Sequence, residues 1–237
     1  MSRSQPEATP KAVYVRVDTV ESRVSQGHSR TSRKRLLESE SLEIDQTRIA
    51  GSADGEDYGV CATIRLAYVL QGRGVLRVDD ADSSFGKGDL VVVPAGVRWG
   101  QQLSVQSDEL VMLEIAPRTG AGEADASGVR PDASIRVVRP GDVQPYEPAG
   151  HAKTTNRCLF VDNQLEVIQG FIDRGGGADR HFHERNEQAL YVLNAPDPLL
   201  IHYPRCTPHG TGGGITDPLE LLVIYSPPLG ESQNALG

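Results

Sequence analysis

The sequence has few of the residues that mark several common protein classes. Its 237 residues include 3 cysteines, 1 tryptophan and 4 phenylalanines. Cys61, Cys158 and Cys206 lie far apart in no C-x-x-C pattern, and their odd number argues against a disulfide framework. We therefore expect free cysteines that pack as small hydrophobic residues.

Long apolar runs and an excess of basic charge are also missing. No apolar run approaches the roughly eighteen residues that a membrane-spanning helix needs. The first eleven residues, M-S-R-S-Q-P-E-A-T-P-K, lack the apolar core of a secretion signal, so the expected location is the cytoplasm. The formal net charge of -8 argues against nucleic-acid binding, which requires a basic surface.

Glycine, proline and short aliphatic runs are plentiful, and they favour an all-β fold. The chain contains 25 Gly and 15 Pro. Residues 66–80 predict a β-hairpin that turns at 71–74, and further strands are predicted at 89–94 and 109–117. Short strands separated by glycine turns are typical of a barrel or a sandwich.

An internal repeat divides the chain into two similar halves. Residues 27–37 align without gaps on 150–160, a shift of 123 residues (150 − 27), and the same shift places Tyr68-Val69-Leu70 on Tyr191-Val192-Leu193. The repeat also makes His28 and His151 equivalent, which favours a structural role for both. Two copies of one unit are the simplest explanation.

A Gly-, Ala- and Ser-rich stretch between the copies predicts a linker. The expected organisation is a tail, an N-terminal unit, the linker, a C-terminal unit and a second tail. Their ranges are 1–11, 12–117, 118–134, 135–228 and 229–237.

The stretch G-G-G-A-D-R-H-F-H-E-R-N-E, residues 175–187, carries the candidate chemistry. His181 and His183 are two residues apart, so on a strand both imidazoles leave the same face, and Glu187 follows after three more residues. Two histidines and a carboxylate can hold a divalent first-row metal with open coordination positions. On a regular strand Gln188 should point to the opposite side from Glu187.

The spacing from Gly175 to His181, His183 and Glu187 resembles the first signature motif of the cupin superfamily. Asn194 stands where that motif has its closing glycine. The resemblance implies two tandem cupin barrels of the jelly-roll type and a site of three histidines and one glutamate. It further implies one divalent ion, iron, manganese, nickel or zinc, and a second role for Glu187 as a catalytic proton carrier.

The N-terminal copy has lost the ligands that the resemblance implies. Gly88, Pro94, Gly96 and Trp99 follow the second cupin motif, with Trp99 in the place of its histidine. Shifted back by 123 residues, the three ligands fall on Tyr58, Val60 and Ile64, and moving the alignment by one gives Gly59, Cys61 and Arg65. Neither set can chelate a metal, so we expect a metal-free barrel with Trp99 as a plug in the former cavity.

The C-terminal copy is shorter and supplies the fourth ligand. Its last strand, 220–227, matches 109–117 at a shift of 110 or 111, so about a dozen residues are missing between Asn194 and Pro208. At a shift of 110, Trp99 falls on His209, which the repeat therefore nominates as a ligand. His202 is the alternative if His209 lies too far away.

The resemblance leaves three functions open for a small-molecule substrate. The first is a metal-dependent dioxygenase. The second is an isomerase or lyase, because H-F-H-E-R-N-E-Q, residues 181–188, is similar to the ligand strand of the bicupin isomerases of bacilysin biosynthesis. The third is a non-catalytic ligand-binding cupin. A homodimer is expected by resemblance alone.

Overall fold

The computed structural model describes residues 10–24, 30–51, 53–54, 57–78, 81–118, 134–211 and 214–230. His28 lies outside the described residues, as do almost all of the two expected tails and of the expected linker.

Within these ranges the chain is all-β, as the composition predicts. Only Val17–Thr19 and Pro140–Asp142 form 3₁₀ helices among the described residues. The strands are β1 Val13–Arg16, β2 Arg23–Val24, β3 Thr31–Glu38, β4 Leu42–Ala50, β5 Ala53–Asp54, β6 Arg65–Gln71, β7 Arg73–Val78, β8 Ala81–Gly86, β9 Leu90–Val93, β10 Leu103–Val105, β11 Glu109–Pro117, β12 Arg136–Val138, β13 His151–Val161, β14 Glu166–Ala178, β15 Glu187–Val192, β16 Leu199–Tyr203 and β17 Leu219–Ser226. None of the helices in the described part of the chain has the length and apolar character needed to cross a membrane.

The chain folds into two compact units. One spans Arg16–Gln144 and the other combines Met1–Val15 with Pro145–Gly237. The first contains a seven-stranded sheet, β12-β9-β6-β11-β4-β3-β2, and a four-stranded sheet, β5-β10-β7-β8. The second contains the six-stranded sheet β1-β16-β15-β17-β14-β13.

Two short strands cross the unit boundaries that the sequence predicts at residues 12 and 135. β12 follows the expected linker, yet its residues Arg136 to Val138 pair with Val92 to Leu90 of β9 in the N-terminal unit. β1 lies at the start of the expected N-terminal unit but is placed beside β16 in the sheet of the C-terminal unit. Each strand supplies hydrogen-bonding partners to a sheet edge that would otherwise be open, which sequence periodicity does not reveal.

The predicted hairpin over 66–80 does not form. β6 pairs with β11 and β9 in the seven-stranded sheet, whereas β7 pairs with β10 and β8 in the other sheet. The chain changes sheets at Gly72, whose φ of 87° favours glycine. A Cβ atom at this position would collide with the carbonyl oxygen of Glu109, so the corner also requires the missing side chain.

The core of the N-terminal unit is closed around Trp99. This side chain is 1% exposed and belongs to a cluster of buried residues that includes Ala67, Val69, Leu110 and Met112. These four residues come from β6 and β11, so two adjacent strands of the seven-stranded sheet contribute to the cluster that contains the indole. The sequence predicts Trp99 as a plug, and it is packed in the core.

In the C-terminal unit, β15 directs alternate side chains to two faces of its sheet. Gln188 and Leu190 line a cavity, and Gln188 is opposite Tyr203 of β16 and Tyr225 of β17, which line the same cavity. Glu187 and Ala189 therefore point to the other face, where they are also buried. This alternation decides which residues of the ligand motif reach the cavity.

Candidate metal centre

Two segments of the C-terminal unit run antiparallel and bring His181 beside His209. The backbone N–H of each histidine donates to the carbonyl of the other, both at 2.8 Å. Two residues further on, the backbone N–H of Thr211 donates to the carbonyl of Ala178, and the N–H of Ala178 donates to Thr211 Oγ1 at 2.9 Å. This short ladder fixes the two histidines in register although they are 28 residues apart (209 − 181).

Gly210 permits the close approach of these segments. Its φ is 151°, and a Cβ atom there would lie 2.7 Å from the carbonyl oxygen of Asp179. Any other residue at this position would push the two segments apart. The glycine-rich setting of His209 is thus a packing requirement of the site.

His181, His183 and His209 form one cluster. Their candidate ligand atoms all lie within 4.8 Å of one another, a separation compatible with one bound ion. The ring centroids are 5.0 Å apart for His181 and His183, 4.4 Å for His181 and His209, and 5.1 Å for His183 and His209. Among the described residues this is the one such group of three or more histidines, cysteines or acidic residues.

Hydrogen bonds to the backbone orient two of the three rings. His181 Nδ1 lies 2.7 Å from the carbonyl oxygen of Asp179, and His209 Nδ1 lies 2.8 Å from that of Thr207. A carbonyl can only accept, so Nδ1 of each ring carries the proton and the Nε2 lone pair is available. The Nε2 atoms of His183 and His209 are buried and have no hydrogen-bond partner within the protein. Two buried acceptors without partners are the fit expected of a metal site.

The cluster favours neutral imidazoles, the form that binds metals. Burial, together with the neighbouring His209, His181 and His151, lowers the pKa of His183 from 6.5 to about 4. Burial is also the main cause that lowers the pKa of His209; the neighbouring His181 acts in the same direction, and the hydrogen bond to Thr207 opposes the shift. Both rings are therefore neutral at neutral pH.

Glu187, the carboxylate ligand that the cupin resemblance implies, does not join this cluster. Its carboxylate lies on the opposite face of β15, where His202 Nε2 and Glu187 Oε2 are 3.3 Å apart. Both side chains are buried there. The physical reason is strand alternation: once Gln188 faces the cavity, Glu187 must face away from it. His202, the alternative ligand, is on the same far face.

Gln188, and not Glu187, points from β15 toward the cavity. It is 6% exposed, and its amide Nε2 donates to the hydroxyl of Tyr225 at 2.9 Å. The Oε1 atom of Gln188 is buried without a hydrogen-bond partner, as are the Nε2 atoms of two cluster histidines. The ring of Tyr225 also contacts His183 edge to face, with centroids 5.4 Å apart.

A cavity of about 90 Å³ lies beside the cluster. A single water needs roughly 10–15 Å³ by this measure, so the cavity has room for a small organic molecule. Its walls combine apolar and uncharged polar side chains, and among the described lining residues the groups that titrate are histidines and tyrosines. Representative lining residues are Thr154, Asn156, Ile172, Leu190, Leu221 and Val223.

Tyr203 and His151 complete the polar wall. The ring of Tyr203 stacks on His209 with centroids 4.4 Å apart and an interplanar angle of 23°. Burial, reinforced by Tyr14, raises the pKa of Tyr203, which keeps its hydroxyl protonated. The ring of His151 lies 6.1 Å from that of His181. Sequence reasoning assigned His151 a structural role, yet it lines the cavity.

The spacing of the ligand motif contains a signal for one cavity residue, Gln188, that the sequence analysis does not select. A cupin-like spacing of three residues between His183 and the carboxylate ligand selects Glu187. A spacing of four selects Gln188, and period-2 alternation already separates the two side chains. Nothing in the local sequence marks Tyr203 and Tyr225, because their role depends on cross-strand pairing with Gln188.

Comparison with solved structures gives matches along nearly the whole chain, although no family model and no curated protein matches the sequence. A protein from Pseudomonas aeruginosa described as glyoxylate induced matches with a TM-score of 0.70 and 14% identity, over 95% of this chain and 91% of that one. The oxalate decarboxylase of Lactobacillus farciminis, solved as a formate complex, matches with a TM-score of 0.63 and 12% identity, over 94% and 88%. The protein YlbA from Escherichia coli matches with a TM-score of 0.64 and 11% identity, over 95% and 94%.

Identities this low compare folds and do not transfer an activity. The shared feature is the all-β jelly roll of cupin-fold proteins, which is also what the sequence motif implies. This chain therefore has a cupin fold with a cluster of three histidines in its C-terminal unit.

Proposed function

We propose that this chain is a metal-dependent enzyme of two tandem cupin barrels, the second one shortened, that oxidises a small organic molecule with dioxygen. One observation carries the proposal: His183 and His209 direct buried, unpartnered Nε2 atoms into a cluster with His181, beside a cavity. Buried polar atoms are normally paired, so these nitrogens call for a partner from outside the chain.

His181, His183 and His209 would hold one divalent first-row ion. When bound, such an ion supplies Lewis acidity and, if it is iron, redox chemistry toward dioxygen. Three nitrogen ligands suit iron, nickel, zinc or manganese, and they leave positions open for a small molecule.

The other residues of the cavity hold the site in shape and exclude water. Tyr203 stacks on His209 and restricts rotation of that ring. Tyr225 supports Gln188 through its hydroxyl and His183 through its ring edge. Ile172, Leu190, Leu221 and Val223 make the remaining wall apolar, which suits a small organic substrate.

The composition of the cavity favours oxidation over chemistry that depends on a carboxylate base. Within the described ranges no aspartate or glutamate is among its lining residues, and Glu187 faces the opposite side of the sheet. Reactions that move a proton between carbon atoms, or decarboxylation as named for one structural neighbour, commonly use a carboxyl group near the substrate.

A metal-dependent isomerase or lyase is the second candidate. It is favoured by the two phenol groups of the cavity, Tyr203 and Tyr225, which are able to donate and accept a proton. In this case the reaction proceeds without dioxygen.

Elemental analysis of the purified protein beside His183→Ala tests the metal site. We expect one equivalent of a first-row metal in the wild type and less than a tenth of that in the variant. The same metal content in both proteins would contradict the proposal.

Oxygen uptake by iron-loaded protein mixed with a small-molecule cell extract tests the reaction class. We expect uptake that requires His183, together with loss of a substrate mass that stops under argon. Continued loss of that mass under argon supports the isomerase or lyase. Metal binding without turnover under either condition would overturn the enzymatic proposal in favour of a ligand-binding cupin.

A further inference from the structure

We propose that the amide oxygen of Gln188 is the fourth metal-facing atom of this site, which makes the protein's ligand set electrically neutral. This inference rests on the proposed metal site. It assigns to an uncharged side chain the place that the cupin resemblance gives to a glutamate.

The strand places Gln188 on the correct face. Gln188 lines the same cavity as His181 and His209, whereas Glu187 is hydrogen-bonded to His202 on the other face of β15. Moving Glu187 into the cavity would require a one-residue slip of β15. Such a slip would turn every side chain of the strand to the other face and break its pairing with β16 and β17.

The nitrogen of the Gln188 amide has a hydrogen-bond partner, and its oxygen has none. Its Nε2 donates to Tyr225 Oη at 2.9 Å, and Tyr225 in turn contacts the ring of His183. The Oε1 atom is buried, in a residue that is 6% exposed, and accepts no hydrogen bond. A buried amide oxygen without a donor is destabilising, a penalty that a cation beside it would remove.

A neutral ligand set has a consequence for the substrate. Three imidazoles and one amide leave the full charge of a divalent ion uncompensated by the protein. No aspartate, glutamate, lysine or arginine lines the cavity in the part of the chain that the structure describes, so none of the described wall residues competes for that charge. The site should therefore prefer a small molecule that offers anionic oxygen, such as a carboxylate or an enolate, over a neutral one.

Metal affinity in three variants tests the assignment. Cobalt(II) affinity is measured by competition with a chromophoric chelator for wild type, Gln188→Ala, Gln188→Glu and Tyr225→Phe. We expect Gln188→Ala to weaken binding about 10- to 100-fold, the range found when groups around a metal are removed. Gln188→Glu should strengthen binding, because it adds a negative charge without changing the shape. Tyr225→Phe should weaken binding less than Gln188→Ala. It keeps the amide oxygen of Gln188 and removes only the hydroxyl group that orients the amide.

Anion binding to the cobalt-loaded proteins is expected to change in the direction opposite to metal affinity. Oxalate serves as the probe, and the visible spectrum of cobalt(II) reports its binding. We expect Gln188→Glu to bind oxalate about tenfold more weakly than the wild type, although it holds the metal more tightly. A glutamine that only supports the fold would not move the two affinities in opposite directions.

His183→Ala separates the two proposals. If the wild type binds no cobalt, or His183→Ala binds it equally well, the proposed metal site fails. If His183→Ala loses cobalt while Gln188→Ala and Gln188→Glu both bind it like the wild type, the metal site stands and the role of Gln188 is overturned. Circular dichroism and melting curves of the metal-free variants distinguish loss of folding from loss of a ligand.

Discussion

Trp99 and His209 have similar backbone hydrogen bonds in their two units, but their side chains lie in different environments. Trp99 accepts a hydrogen bond from the backbone N–H of Tyr58 and donates its own to Gly59, much as His209 exchanges two with His181. The indole is 1% exposed in an apolar cluster, whereas the imidazole borders a cavity. In the N-terminal unit the Trp99 side chain is packed within the core. In the C-terminal unit the equivalent region contains a cavity that a ligand could occupy.

Residues at the start of strands β6 and β15 sharpen this contrast. Arg65, which aligns with Gln188 at the 123-residue shift, donates to Glu114 Oε2 at 2.6 Å. Burial alone would raise the pKa of Glu114, but Arg33 and Arg65 outweigh it and the pKa is lowered. The N-terminal unit thus pairs its buried charges internally. In the C-terminal unit the unpartnered Nε2 atoms of His183 and His209 belong to one cluster with His181, and that clustering is what points to a ligand.

The largest effect should come from removing a cluster histidine. We expect His183→Ala to abolish the stabilisation that added metal gives the wild type, which is about 2.7 kcal/mol when the metal is at 100 times its Kd. Differential scanning fluorimetry with and without the metal measures this effect.

Cys61→Ala is the matched control in the N-terminal unit, since Cys61 aligns with His183 at a shift of 122 (183 − 61). We expect its response to metal to equal that of the wild type. A comparable loss in Cys61→Ala would show that metal binding does not depend on the C-terminal cluster.

Truncating Trp99 should destabilise the protein without affecting the metal. Trp99→Ala removes a fully buried aromatic side chain, so we expect the free energy of unfolding to fall by about 3–5 kcal/mol. Denaturant unfolding of the metal-free protein measures the change. The companion variant His209→Ala should lose the metal and cost less than Trp99→Ala, because the imidazole is only half-buried. The reverse ranking would mean that the C-terminal cluster is primarily structural.

The stability of the metal-free protein should depend on pH through His183. Its pKa is about 4 in the folded state and returns toward 6.5 when the chain unfolds. Between these values the unfolded chain binds more protons than the folded one, so stability falls as the pH falls from 6.5 toward 4. The lowered pKa of His209 acts in the same direction. Unfolding of wild type and His183→Asn with a chelator present measures the slope, and equal slopes would contradict this assignment.

Glu187→Gln should have the smallest effect on metal binding. Because Glu187 is hydrogen-bonded to His202 on the far face, we expect the metal content to equal that of the wild type. Its free energy of unfolding should fall by roughly 1–3 kcal/mol, since a hydrogen bond to a charged group is weakened. Elemental analysis and denaturant unfolding measure the two quantities. Loss of metal comparable to that in His183→Ala would restore Glu187 as a ligand.

The sequence predicts much of this architecture because its signals are local or periodic. The all-β fold and the strand at Glu109–Pro117 follow from composition and short aliphatic runs. The repeat arithmetic nominates His209 from a distance of 28 residues in the chain, and the structure brings it to His181 and His183. The hairpin at 71–74 is wrong because a glycine corner between two sheets has the same local pattern as a turn within one sheet.

Residue types and spacing by themselves determined that this chain forms β-sheets and that three histidines are available for one centre. Only the tertiary structure decided that Gln188 faces the cavity while Glu187 faces away, and that β1 and β12 complete sheets outside their own segments. The reason is physical. Composition and periodicity act within a few residues, whereas the face that a strand presents is set by its register against neighbours that are distant in sequence.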